Sequence, residues 1–361
     1  MDLLVKIVVA IVGTVATAAG TAAATSTTTT TSASTPSSIV GQEVPPTPTI
    51  NIGKDVYDND VIMPLIGAGT WQYNDTIAYE SLCKAFDVGY TFIDTAWGYH
   101  NSVGVGNAIN DCWITKLNHT RDELFVMTKI PGGLTTKAEI LAYHYENLFQ
   151  LQLNYVDHVM IHYPSDWNEE YASSTIRQKE WLILEELYNK GEARTIGISH
   201  YCKQHINDIL QVASVMPSIN QVEYHIGSQD IDNVIDYCNQ LNITFMSFSP
   251  LCGPCSYDNK KEEENLITGK LVTEIATHYQ HNDDDGNTTT TTTTTSSQVT
   301  GNQISLRYIV QQNIPVIPKS NTIEHIKSNL NIFDFNLSNE DMNILKNATT
   351  PAAEDGDCDV P

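Results

Sequence analysis

The stretch FIDTAWGYHNSVGVGNAI, residues 92–109, sets the reading of the chain. An apolar run ends abruptly at Asp94, a short polar loop carries Tyr99, and a helical pattern follows over 103–117. The same strand, loop and helix unit recurs. LFVMTK (124–129) places Lys129 at the end of an apolar run, and VDHVMIHYP (156–164) does so for His162. In a barrel of parallel strands, side chains at the carboxyl ends of different strands converge on one mouth. Asp94, Tyr99, Lys129 and His162 are therefore expected to meet. Taken singly, each has an ordinary reading: a helix cap, a loop aromatic, a solvated strand end and a satisfied core histidine. Together they suit proton delivery to a carbonyl oxygen. The lysine is expected to stabilise tyrosinate and lower the phenol pKa, with the carboxylate keeping that lysine charged and in place.

Working outward, strand-like runs at 66–69, 92–94, 124–128, 158–162, 195–199, 218–223, 245–249 and 315–318 alternate with helix-like segments. The helical segments run over 77–88, 103–117, 137–151, 178–189, 202–212, 231–240 and from about 322. Within 137–151, Ile140, Leu141, Tyr143, His144, Leu148 and Leu151 recur at three- and four-residue steps, a helical period. The runs are short and mostly apolar, as strands buried on both faces are. The pattern predicts an α/β fold, a (β/α)8 TIM barrel in a single domain. A doubly wound sheet is the alternative, but no Gly-x-Gly-x-x-Gly follows an early strand: Gly67-Ala68-Gly69 lacks the third glycine.

The 361 residues and 41% hydrophobic content suffice for one large core. A formal charge of −24 argues against nucleic-acid binding, which needs a basic surface to neutralise phosphates. Residues 1–24 read first as a secretory signal peptide and second as an uncleaved anchor, the only route by which a membrane enters the reading. A cytoplasmic or organellar protein is the further alternative. Residues 25–49 are a Thr/Ser/Pro-rich linker, 50–348 the barrel, 282–298 a low-complexity insertion between two helices, and 349–361 an acidic tail.

Asn-x-Ser/Thr sequons stand at Asn74, Asn118, Asn242, Asn287, Asn336 and Asn347, a pattern compatible with secretory passage. The 7 cysteines define no disulfide framework by spacing. Cys252-Gly-Pro-Cys255 has the spacing of a redox pair, but it follows a strand, so a plain loop is the expectation.

In MPLIGAGTWQ, FIDTAWGYHNSVGVGNAI, LFVMTKI, MIHYP, RTIGISHY, NQVEYH, FSPL and IPKS, in that order, residues 50–348 resemble the aldo-keto reductase family. The resemblance implies an NAD(P)H-dependent carbonyl reductase of the alcohol dehydrogenase (NADP+) type. NADPH is favoured and NADH is possible. It implies Tyr99 as the general acid, Lys129 and Asp94 as the pair that tunes it, and His162 as the residue orienting the carbonyl. Cofactor contacts would come from Gly69, Thr70, Trp71, Asp94, Ser199, His200, Gln221, Phe248, Ser249, Leu251, Lys319, Ser320, His325 and Asn329. Among these, Ser199 and Gln221 would hold the nicotinamide carboxamide and Phe248 would stack on the ring. Lys319 and Ser320 would grip the 2′-phosphate. Trp71, Trp97, His162, Tyr163 and Trp167 would line a pocket for small or moderately apolar carbonyls.

Three positions depart from the family pattern. His200 stands for the usual Asn, His325 for an arginine, and Ser328 for an acidic residue. Losing the guanidinium fork should weaken NADP recognition by ~1–3 kcal/mol. No metal is needed, because tyrosine and histidine polarise the carbonyl directly. A monomer is expected. Two other classes compete: a catalytically silent nucleotide-binding module on the same barrel, and a hydrolase or lyase using Asp94 and His162 without nucleotide.

Overall fold

The computed structural model describes residues 47–166, 168, 170–228, 230–252, 265–280 and 298–348. The leader, most of the linker, Trp167, residues 253–264, most of the insertion and the acidic tail lie outside them; Thr49, expected in the linker, instead opens the first strand. No described helix is long and apolar enough to cross a membrane.

The chain enters as an antiparallel hairpin, β1 (Thr49–Lys54) and β2 (Asp60–Pro64). Seven parallel strands follow in sequential order. These are β3 (Ala68–Gly69), β4 (Phe92–Asp94), β5 (Phe125–Ile130), β6 (Val156–Ile161), β7 (Ala193–Ser199), β8 (Ile219–Glu223) and β9 (Thr244–Phe248). Val316 closes the ring by bridging Ile66 on one side and Ser247 on the other. The expected eighth strand at 315–318 is thereby reduced to a bridge, because Pro315 and Pro318 have no N–H to extend a ladder. With that closure the fold is the (β/α)8 barrel that the alternation predicts.

Helices alternate with the strands. α1 is Asp75–Val88, α2 Ser102–Ala108, α3 Lys137–Leu151, α4 Ser174–Asn189, α5 Lys203–Leu210, α6 Val234–Gln240, α7 Lys270–Ala276, α8 Gly301–Val310, α9 Ile323–Leu330 and α10 Asn339–Lys346. Local chemistry sets their ends. Asn74 accepts from the Ile77 N–H to cap α1, and Gly89 ends it at φ 106°, a left-handed conformation that glycine adopts without strain. Thr136 and Glu139 form a reciprocal capping box at the start of α3. The helix expected over 103–117 is instead α2 followed by a π-helical stretch, Ile109–Lys116; there the Leu117 N–H reaches back five residues to the Cys112 carbonyl. A disulfide joins Cys112 in that stretch to Cys83 in α1, with Cα atoms 5.4 Å apart.

Two cores follow from strand alternation. Outward-facing residues such as Val126, Val159, Ile161, Ile196 and Ile198 pack under the helices in the main cluster. Inward-facing Phe92, Phe125, Met127, Met160, Ile219, Met246 and Ile317 fill the barrel and meet Ile52, Val61 and Met63 of the hairpin. The hairpin thus plugs one end of the barrel, and the other end is left to the polar residues at the strand termini.

Candidate active site

Asp94 ends β4, and its neighbours in register are Gly69 on β3 and Met127 on β5. Lys129 lies two residues beyond Met127 on the same inward face, which brings its ammonium across to Asp94. Nζ donates to Asp94 Oδ1 at 2.7 Å and Oδ2 at 2.6 Å, to the Thr95 carbonyl at 3.2 Å, and contacts Tyr99 Oη at 3.2 Å. Both ionic side chains are 2% exposed or less, so the pair is desolvated and its bonds are strong. Tyr99 closes a short 3-10 turn, Trp97–Tyr99, in the loop after β4. His162 follows β6, where its N–H donates to the Ile130 carbonyl at 2.8 Å. Its ring stands edge-on to Tyr99 with centroids 5.6 Å apart. The four residues picked from the strand ends are therefore one constellation.

The electrostatics correct one expectation. Burial, reinforced by the Asp94 carboxylate and the Tyr163 phenol, holds Tyr99 well above the ordinary phenol value of 10.0, instead of drawing it down. Lys129 is lowered by its own burial, which the Asp94 charge opposes. Lys129 favours the tyrosinate through its contact at 3.2 Å, but burial and the Asp94 charge outweigh it in the resting site. His162 is held well below 6.5 by burial, by Lys129 and by His200. At neutral pH the mouth thus presents a protonated phenol and a neutral imidazole.

Gly69, Thr70, Gln221 and His200, four of the expected cofactor residues, adjoin this cluster. Thr70 is fixed by hydrogen bonds from its N–H (3.1 Å) and its hydroxyl (3.0 Å) to the Asp94 carbonyl. Gly69 brings its backbone close to the closing segment: a Cβ there would sit 2.9 Å from the Ile317 carbonyl oxygen. The Ser199 hydroxyl donates to the Gln221 carbonyl at 2.8 Å, and Gln221 Nε2 donates to Asp94 Oδ2 at 3.0 Å. Gln221 is thus tied to the tetrad, a contact that no local sequence pattern foretells.

His200 adopts φ 63°, and its ring stacks on Tyr163 at 4.2 Å with Phe248 at 4.7 Å. Ser249, with φ 47°, and half-buried Leu251 continue the loop after β9. Lys319 donates to Gln72 Oε1 at 2.9 Å and lies 5.0 Å from the Tyr73 ring and 5.9 Å from that of Trp71. Ser320 accepts from the Thr322 N–H at 3.2 Å, just before α9. His325 is exposed on the first turns of α9, and Asn329 is buried on the same helix.

Trp97 is turned toward α3. Its indole N–H donates to Glu146 at 3.0 Å and its ring packs edge-on against Tyr143 at 4.3 Å. Trp71, 42% exposed, stays at the rim.

This donor set fits a nicotinamide dinucleotide. Phe248 offers a flat apolar face, Ser199 and Gln221 polar groups beside it, and Lys319 with Ser320 and the α9 N-terminus suit a phosphate. A protonated phenol and a neutral imidazole side by side at the strand ends can donate hydrogen bonds, and a proton, to a carbonyl oxygen.

Comparison with known proteins gives the family. The model of the "Aldo/keto reductase family" matches residues 65–349, and the chain belongs to that family of oxidoreductases. An uncharacterized oxidoreductase of Caenorhabditis elegans is 33% identical over 296 residues, 80% of this chain and 79% of that one. The glyoxal reductase of Bacillus subtilis is 32% identical over 285 residues, 79% of this chain and 88% of its own. Among solved structures, the aldose reductase of Schistosoma japonicum superposes with a TM-score of 0.68 at 26% identity, covering 83% of this chain and 93% of that one. The family generally uses nicotinamide cofactors.

Proposed function

We propose that the protein reduces an aldehyde or ketone to an alcohol, with NADPH as the hydride donor and Tyr99 as the general acid. The observation that carries the reading is Lys129 Nζ lying 3.2 Å from Tyr99 Oη while bonded to both oxygens of Asp94, with the His162 ring alongside. When bound, a reduced nicotinamide held by Ser199, Gln221 and Phe248 would supply the hydride.

This chain's residues do the rest. A carbonyl oxygen entering between Tyr99 and His162 meets two neutral donors, the phenol O–H and an imidazole N–H. As negative charge grows on that oxygen, it becomes a stronger base than the phenolate, and the Tyr99 proton moves to it. Lys129 lies beside the tyrosinate that forms and stabilises it, and Asp94 holds Lys129 there. The raised phenol pKa keeps Tyr99 loaded with its proton until that moment. Lys319 and Ser320 favour a 2′-phosphorylated nucleotide. His325, an imidazole in place of a guanidinium, makes that preference weaker than an arginine would.

The test is turnover of reduced nicotinamide against a panel of aldehydes and ketones, comparing the protein with Tyr99→Phe. Activity lost in the variant, with nucleotide binding retained, supports the reading. NADPH binding without turnover of any carbonyl in the parent protein favours the silent nucleotide-binding module. No nucleotide binding at all refutes the cofactor assignment.

A further inference from the structure

We infer that Asn118 and Asn242 are N-glycosylation sites, so that the barrel carries its glycans on the end opposite the catalytic mouth. Both begin sequons, Asn118-His119-Thr120 and Asn242-Ile243-Thr244. Each is exposed and occupies a left-handed turn, at φ 59° and φ 56°. Among the described residues neither side-chain amide has a hydrogen-bond partner, so a sugar on Nδ2 displaces nothing. Both turns precede strands, β5 and β9, whereas Asp94, Lys129 and His162 lie where strands end. A bulky glycan at either position therefore stands away from substrate entry.

The remaining sequons are less suited. Asn347 Nδ2 already donates to the Asn343 carbonyl at 2.8 Å, and Asn336 Oδ1 is held by Arg307. Asn74 caps α1 with its side-chain oxygen in the loop after β3, on the mouth side. Asn287 lies outside the described residues.

A second observation points to the same compartment. Cys83 and Cys112 are joined, and Cys202 and Cys252 are each disulfide-bonded as well. Among the described residues Cys238 is the free cysteine, and burial pushes its thiol up to about 11, which keeps it unreactive. Disulfides of this kind persist in oxidising compartments, where sequons also meet their transferase.

In the transfer, Asn Nδ2 attacks the anomeric carbon of a lipid-diphosphate-linked oligosaccharide. A C–N bond forms, the C–O bond to the diphosphate breaks, the amide loses one proton, and the lipid diphosphate leaves with the electron pair. Transfer must precede folding. Ile243 is buried and Thr244 opens β9, while the Thr120 hydroxyl becomes tied to Glu123 at 2.9 Å.

The experiment expresses the full chain in a eukaryotic cell and recovers the folded protein from whichever fraction holds it. Glycans are removed enzymatically in heavy-oxygen water, which turns each occupied asparagine into labelled aspartate, and peptides are mapped without reduction. Label at 118 and 242, with the Cys83 and Cys112 peptides cross-linked, is expected. N118Q and N242Q should each lower the apparent mass by one glycan. Folded protein with both asparagines unlabelled overturns the inference, and label at one position alone overturns it for the other. The wild-type map decides the question even where a variant fails to fold.

Discussion

Asp94→Asn tests whether the tetrad is held by a desolvated charge pair or merely by shape. Asp94 accepts from Lys129 on both oxygens and from Gln221 on Oδ2. Asparagine keeps the outline but offers one acceptor oxygen, and its NH2 must face an N–H donor whichever way it turns. Lys129 keeps one amide oxygen, the Thr95 carbonyl and the Tyr99 hydroxyl as contacts, but it stays 1% exposed and without a counter-charge. Removing one partner of a buried pair costs about 3–5 kcal/mol. At a urea slope of roughly 2 kcal/mol/M, the unfolding midpoint should fall by about 1.5–2.5 M. The penalty should shrink as pH rises toward the 10.5 of an ordinary lysine, where the unfolded chain also loses the charge. Adding Lys129→Met removes the stranded cation, so the double variant should regain at least about 2 kcal/mol over Asp94→Asn. A single variant within about 1 kcal/mol of the parent, or a double variant no more stable than the single, would refute the reasoning.

With Tyr99 held above 10.0 and His162 well below 6.5, both groups keep their working protonation state across the neutral range. The pH profile of carbonyl reduction should be flat there, and an inflection near 6.5 would show His162 titrating as an ordinary imidazole. Cys83→Ser with Cys112→Ser opens a cross-link with a sequence separation of 29. It should cost about 3–4 kcal/mol, read as a fall in Tm, and an unchanged Tm would show that the bridge does not constrain the unfolded chain. Lys319→Met should weaken NADPH binding about 10- to 100-fold in a fluorescence titration, from the loss of a charge-assisted hydrogen bond, and leave NADH unchanged. Equal losses for both nucleotides would place Lys319 elsewhere than on the 2′-phosphate.

The strand ends were legible because each apolar run stops at a polar residue, and an abrupt stop survives in one dimension. Asp94, Lys129 and His162 were found that way. Tyr99 needed only the short loop behind Asp94. The hairpin of β1 and β2 was missed because its buried residues, Ile52, Val61 and Met63, are separated by exposed ones and gain meaning only from the barrel floor they plug. The Cys83–Cys112 bridge was invisible for a related reason. Spacing does not pair cysteines that lie in two different helical segments, and only the packing of α1 against the stretch after α2 brings them together. Gln221 was read as a cofactor ligand; its bond to Asp94 depends on the curvature that carries β8 around to β4, which no local pattern records.

The direction of the Tyr99 shift shows where reasoning from residue types stops. A lysine near a phenol lowers its pKa when the lysine's field is free, and the sequence contains both groups. Here burial penalises the phenolate most, and the same carboxylate that positions the lysine at 2.6–2.7 Å offsets part of its charge and repels the phenolate. The balance therefore reverses in the resting site. That reversal favours an acid. A phenol with a low pKa would arrive partly ionised, and the ionised fraction has no proton to give. A phenol kept neutral by burial is fully loaded, and the cost of ionising it is met when the substrate oxygen becomes anionic. Lys129 lowers the cost of forming the tyrosinate without overcoming burial, so the phenol stays protonated at rest and is still able to give up its proton. Lys129→Met should accordingly slow proton transfer while leaving Tyr99 protonated at neutral pH.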